Sequence, residues 1–81
     1  MDEVMEKFVE IFKRRARIQD ETIDMEGDLA YDYDMDSLDI VGALMELDKA
    51  FKIKLPKNNI NNIRKVRDLY TLLEEGIRVN G

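Results

Sequence analysis

Four aspartates crowd one serine in the stretch YDYDMDSLDI, residues 31–40: Asp32, Asp34 and Asp36 precede Ser37, and Asp39 follows it. Carboxylates at alternate positions are how a calcium loop begins. A loop starting at Asp32 would need glycine at its sixth position and a bidentate glutamate at its twelfth, where the chain has Ser37 and Ala43. The incoming helix is missing too, because residues 19–31 carry no helical period. A nucleophilic serine would need a base. The chain has no histidine, and its lysines resume only at Lys49, roughly three helical turns beyond Ser37. Two roles remain open for Ser37 on the residues alone. It can cap the helix that follows, or it can be a covalent attachment point activated by a second protein.

The bulk composition narrows the field. The chain has 81 residues, of which 44% are hydrophobic, so a single domain over residues 1–81 with one compact core is expected. With no cysteine and no histidine, disulfides, thiolate metal sites, thiol nucleophiles and the commonest general base are excluded. An enzyme is therefore not expected. No apolar run is long enough for a signal peptide or membrane span, and a soluble cytoplasmic monomer is the expectation. The net charge of −5 is unevenly spread: residues 18–48 hold eleven acids and no Lys or Arg, whereas residues 49–67 hold seven bases and no acid. The acidic half should repel nucleic acid and attract basic protein surfaces.

The elements that must position Ser37 are legible from periodicity. Val4, Met5, Phe8, Val9, Ile11, Phe12, Ala16 and Ile18 recur at spacings of three and four, which predicts an amphipathic helix over residues 2–18. Its acids come early and its bases late, as the helix dipole favours. Residues 19–36 predict a long ordered loop pinned by Ile23, Met25, Leu29, Tyr31 and Tyr33. Residues 37–51 form the clearest helix, with Asp36 as N-cap and Asp39 as a short capping-box acid. Pro56 marks a break, and the asparagines around Ile60 leave room for one short helical turn. A last helix is expected over residues 65–75, burying Val66, Leu69, Tyr70, Leu72 and Leu73, with Gly76 as its C-terminal stop. The sum is an all-α fold: a small four-helix bundle with three main helices, one short helix and a long loop after the first.

The second helix carries two apolar stripes. Ile40, Ala43, Leu44, Leu47 and Phe51 share one face. Leu38, Val41 and Met45 form another, roughly 130° away at about 100° per residue. Either the helix is buried on both sides, or the second stripe is an exposed partner site rimmed by charge. Few elements remain to cover it, and a methionine suits a surface that accepts several partners.

The stretch DMDSLDIVGALMELDKAFKIKLP, residues 34–56, resembles the acyl carrier protein family, with an Asp-Ser-Leu triplet opening the second helix. LAYDYDMDSL before it and NIRKVRDLYTLLE near the end extend the similarity over nearly the whole chain. The resemblance implies an acyl-carrier four-helix bundle with 4′-phosphopantetheine, drawn from coenzyme A, attached to Ser37. The arm would carry acyl groups as thioesters in fatty acid, specialised lipid or polyketide synthesis. It implies Asp36, Leu38, Asp39, Val41, Met45 and Asp48 as partner-facing residues, and Ile40, Leu47, Ile63 and Leu69 as the lining of an acyl-chain pocket. The implied partners are a phosphopantetheinyl transferase, an acyl-loading ligase or transferase, and ketosynthase-type enzymes, with no metal and no catalytic residue. Asp34 stands where the family commonly has glycine. Gly42 and Lys49 replace residues that are often acidic, and Lys52, Lys54 and Lys57 add positive charge, which points to a specialised partner set. A peptidyl or aminoacyl carrier is the nearest rival. A helical interaction or calcium-responsive module with Ser37 as a mere cap is the rival from another class.

Overall fold

The structure, a computed structural model, describes residues 2–16, 18 and 22–80. It contains α1 (Glu3–Ala16), α2 (Ser37–Phe51), one 3-10 turn (Ile60–Asn62) and α3 (Val66–Asn80). This is the expected all-α architecture of three main helices, a short one and a long loop after the first. Among the described residues no strand forms; an isolated antiparallel bridge joins Asp28 to Lys65.

Helix α1 begins where the Asp2 carboxylate accepts the Val4 N–H at 3.0 Å. It buries Phe8, Ile11, Phe12 and Ala16. It is shorter than the periodicity predicts. Past Ala16 the Ile18 N–H reaches back five residues to the Lys13 carbonyl at 3.2 Å, a wider loop than a continuing helix would make. Arg17 and residues 19–21 lie outside the described set. Helix α2 buries Ile40, Ala43, Leu44 and Leu47, with Phe51 half-buried. It ends at Lys52, whose φ of 55° is left-handed and whose N–H donates to the Asp48 carbonyl.

Helix α3 corrects one expectation. Gly76 does not stop it; the helix runs on to Asn80. A Cβ at residue 76 would lie 2.5 Å from Leu55 Cδ2 and 3.2 Å from Ile53 Cδ1. The missing side chain thus lets the extended segment after α2 press against α3, with Leu55 buried between them. The core joins Phe8 and Phe12 of α1, Leu44 and Leu47 of α2, Leu55, and Val66, Leu69 and Leu73 of α3. Tyr70 meets Phe8 edge-on with ring centroids 5.1 Å apart.

The long loop is held at both of its faces. Leu29 and Met35 are buried, and Tyr33 packs edge-on against Phe12 at 5.1 Å. Tyr31 is the exception among the expected anchors and is 92% exposed. Residues 29–33 form a helical-type turn. A spacing of four puts Leu29 and Tyr33 on its inner side and turns Tyr31 outward. On the far side the loop is stitched to the start of α3. The Leu29 N–H donates to the Arg64 carbonyl at 2.8 Å, the Val66 N–H to Gly27 at 3.1 Å, and the Arg67 N–H to Met25 at 2.8 Å.

Candidate functional site

Ser37 is the first residue of α2 and is exposed. Its placement is set by the three residues before it. The Met35 N–H donates to the Leu29 carbonyl at 2.9 Å and Met35 itself is buried, which anchors the approach. Asp34, with φ 52°, turns the chain through the left-handed region. Asp36 then caps α2 reciprocally. Its carboxylate accepts the Asp39 N–H at 2.9 Å, while the Asp39 carboxylate accepts the Asp36 N–H at 3.1 Å. The backbone N–H groups of Ser37 and Leu38 have no partner among the described residues. They are the first-turn donors that a helix offers to an anion.

Asp24, Asp28 and Asp32 of the loop are spent on backbone. Asp28 Oδ1 accepts the N–H groups of Ala30 and Tyr31, each at 2.9 Å. Asp32 Oδ2 accepts the Asp28 N–H at 2.7 Å, and Asp24 Oδ1 accepts the Glu26 N–H at 2.9 Å. This is turn chemistry, for which aspartate is well suited. Among the described residues no three carboxylates gather as a metal cage.

Beside Ser37 the second apolar stripe of α2 faces outward. Leu38 is 79% exposed and Met45 55%, with Val41 half-buried between them. Asp48, seven residues after Val41, borders the same stripe and is bonded on its other side. Its Oδ1 accepts the Leu55 N–H at 2.8 Å and its Oδ2 pairs with Lys57. That carboxylate ties down the segment leaving α2. Glu46 is also engaged: Arg15 Nε donates to its Oε1 at 2.7 Å, and Arg14 bonds its Oε2. Burial works to raise the Glu46 carboxyl, but the two guanidiniums outweigh it and hold the group below its ordinary value. To reach Glu46, the Arg15 side chain passes over Gly42. A Cβ at residue 42 would lie 2.7 Å from Arg15 Nη1. Sequence reading missed this clamp, since its partners are 31 and 32 residues apart and α1 bases read equally well as dipole complements.

The four residues expected around an acyl chain separate into two places. Ile40 and Ile63 line an open cleft of about 160 Å³ with Leu29, Ala30, Met35 and Arg64. Leu47 and Leu69 border a tight internal gap under α1, beside Phe8 and Phe12.

A family model described as "Phosphopantetheine attachment site" matches residues 6–73. An acyl carrier protein of Amoebophilus asiaticus is 31% identical over 93% of this chain and 94% of its own length. The chain belongs to the acyl carrier protein family. A second such relative, from Syntrophobacter fumaroxidans, is 33% identical over 83% of each chain. The crystal structure of an acyl carrier protein from Thermotoga maritima superposes with a TM-score of 0.80 at 27% identity, covering 96% of this chain and 91% of that one. The protein is therefore a carrier and not an enzyme, and its cofactor is 4′-phosphopantetheine. The head of α2 fits that group: Ser37 is exposed, and the Ser37 and Leu38 N–H groups are available to a phosphodiester. Asp36 and Asp39 stand close by, but each directs an oxygen at the other's backbone N–H. Among the described residues no helix is long and apolar enough to cross a membrane.

Proposed function

We propose that Ser37 is the attachment point of the arm and that α2 is the docking helix from which acyl thioesters are handed between enzymes. When attached, the arm supplies the thiol that a chain without cysteine lacks. The chain's own residues do the rest. Asp34, Asp36 and Asp39 hold the serine at the head of the helix, and Leu38, Val41 and Met45 give visiting enzymes an apolar footing. Activation of the serine hydroxyl falls to the modifying enzyme, because the chain has no histidine and the Asp36 and Asp39 carboxylates beside Ser37 are each engaged with the other's backbone N–H. The partners are a phosphopantetheinyl transferase, an acyl-loading ligase or transferase, and ketosynthase-type enzymes. Ile40 and Ile63 give a carried chain its nearest apolar shelter, with Leu47 and Leu69 lying deeper. The bases at Lys49, Lys52 and Lys54 favour a dedicated pathway over general fatty acid synthesis.

The observation that carries this reading is an exposed serine on a doubly capped helix start, next to an uncovered apolar stripe. The test is intact-protein mass after incubation with coenzyme A and a broad-specificity transferase. The wild type should gain one phosphopantetheine moiety and Ser37→Ala none. A gain that survives in Ser37→Ala, or no gain in the wild type, rejects the assignment.

A further inference from the structure

The charges around the docking stripe are arranged end to end. At about 100° per residue the line of Leu38, Val41 and Met45 continues into Lys49, and Lys52 follows at the C-terminal cap of the same helix. Both lysines are exposed and have no ion pair among the described residues. At the opposite end the stripe runs out into Ser37 and the exposed acids Asp32, Asp34 and Asp36. The acids that could have made the middle and far end of α2 negative are already neutralised. Glu46 is clamped by Arg14 and Arg15, and Asp48 by Lys57. The negative and positive ends are separated by about 20 Å of helix at 1.5 Å per residue. That exceeds the roughly 8 Å screening length of physiological salt, so the ends act as separate patches.

We infer that this carrier docks on a bipolar partner surface: cationic where it receives the Ser37 end of α2, and anionic where it meets Lys49 and Lys52. The inference rests on α2 being the docking helix. A uniformly basic groove would meet the two lysines with like charge, which is an effective device for rejecting wrong partners. The apolar footing is only three residues wide, far short of the roughly 800 Å² per side of a stable dimer. The occupant is thus a transiently bound enzyme and not a second copy of the chain.

Two synthetic amphipathic helical peptides test this, sharing one apolar face. One carries lysines at both ends; the other carries lysines at one end and glutamates at the other. Backbone amide shifts of isotopically labelled protein report binding. The bipolar peptide should bind the wild type about three- to tenfold more tightly than the all-lysine peptide at low salt, as a few exposed pairs allow. Its shifts should fall on residues 36–52, and the preference should fade in 0.5 M salt at roughly a 4 Å screening length. K49Q/K52Q should abolish the preference and K49E/K52E should reverse it. Equal or tighter binding of the all-lysine peptide by the wild type, binding centred on Lys13–Arg15, or no shift with either peptide overturns the inference. None of these readouts needs the arm, so a failed mass gain at Ser37 would be a separate result.

Discussion

Asp34 holds a backbone conformation that costs most L-residues about 1–2 kcal/mol, and it does so one turn ahead of the serine. Aspartate and asparagine tolerate this region better than other non-glycine residues. Asp34→Gly should therefore leave stability unchanged or raise it by less than about 1 kcal/mol, whereas Asp34→Val should lower it by about 1–2 kcal/mol. Urea unfolding of the three proteins measures this, and a valine variant as stable as wild type would deny the strain. The Asp36 cap was legible in the sequence, because caps are set within a few residues, whereas the Asp34 turn was signalled only by the glycine that the family commonly has there. The outward turn of Tyr31 was not legible. An aromatic in a loop reads as an anchor, and only the spacing of Leu29 and Tyr33 within one turn decides which of the three points inward.

The two helical glycines with close neighbours should respond in opposite ways to alanine. At Gly76 the new methyl would strike buried Leu55, which has nowhere to go. Overpacking of about 1–3 kcal/mol there should exceed the roughly 1 kcal/mol gained in helix propensity. At Gly42 it would meet the far end of the half-exposed Arg15 side chain. Arg15 can swing away, so Gly42→Ala should be neutral or stabilising, by up to about 1 kcal/mol. Thermal midpoints of the two variants give the sign. The clamp on Glu46 adds a pH signature. A carboxyl held below its ordinary value contributes stability fully above the unfolded value, here 4.5, and loses it as pH falls through the lower folded value. Asp68 behaves alike, about an ordinary value of 3.8. Burial opposes its ionised form, but the Lys65 and Arg64 N–H groups prevail. Glu46→Gln should thus be less stable than wild type at pH 7, by under about 1 kcal/mol for so exposed a cluster, and the difference should shrink as pH falls through the lowered folded value. A difference that persists in acid would assign the loss to packing. Helix starts and faces follow from local pattern, so α2 was found to the residue. Gly76 misled because a glycine after an apolar run reads as a stop, and its true reason lies about 20 residues away in Leu55.

For the molecule as a whole, the two faces of α2 separate stability from recognition. Leu47→Ala should cost roughly 2–5 kcal/mol as a core cavity. Met45→Glu should keep a near-native melting point, while slowing transfer of the arm to Ser37 and weakening docking. A Met45→Glu protein that unfolds would show that stripe to be core. The existence of two stripes was readable from helical spacing. Which one lay open was decided by how few elements the chain has to cover them. The expected acyl-chain lining was only half gathered, since Ile40 and Ile63 meet across the loop whereas Leu47 and Leu69 face α1, and helix-to-helix depth leaves no trace in spacing. The loop stitched to the start of α3 has a last consequence. Residues 22–36 lack regular structure, yet cutting them requires a protease to peel away the Leu29, Val66 and Arg67 hydrogen bonds together. Digestion should therefore begin at the C-terminal turn or in the asparagine-rich stretch 58–62, and the segment before the serine should survive as long as the fold does.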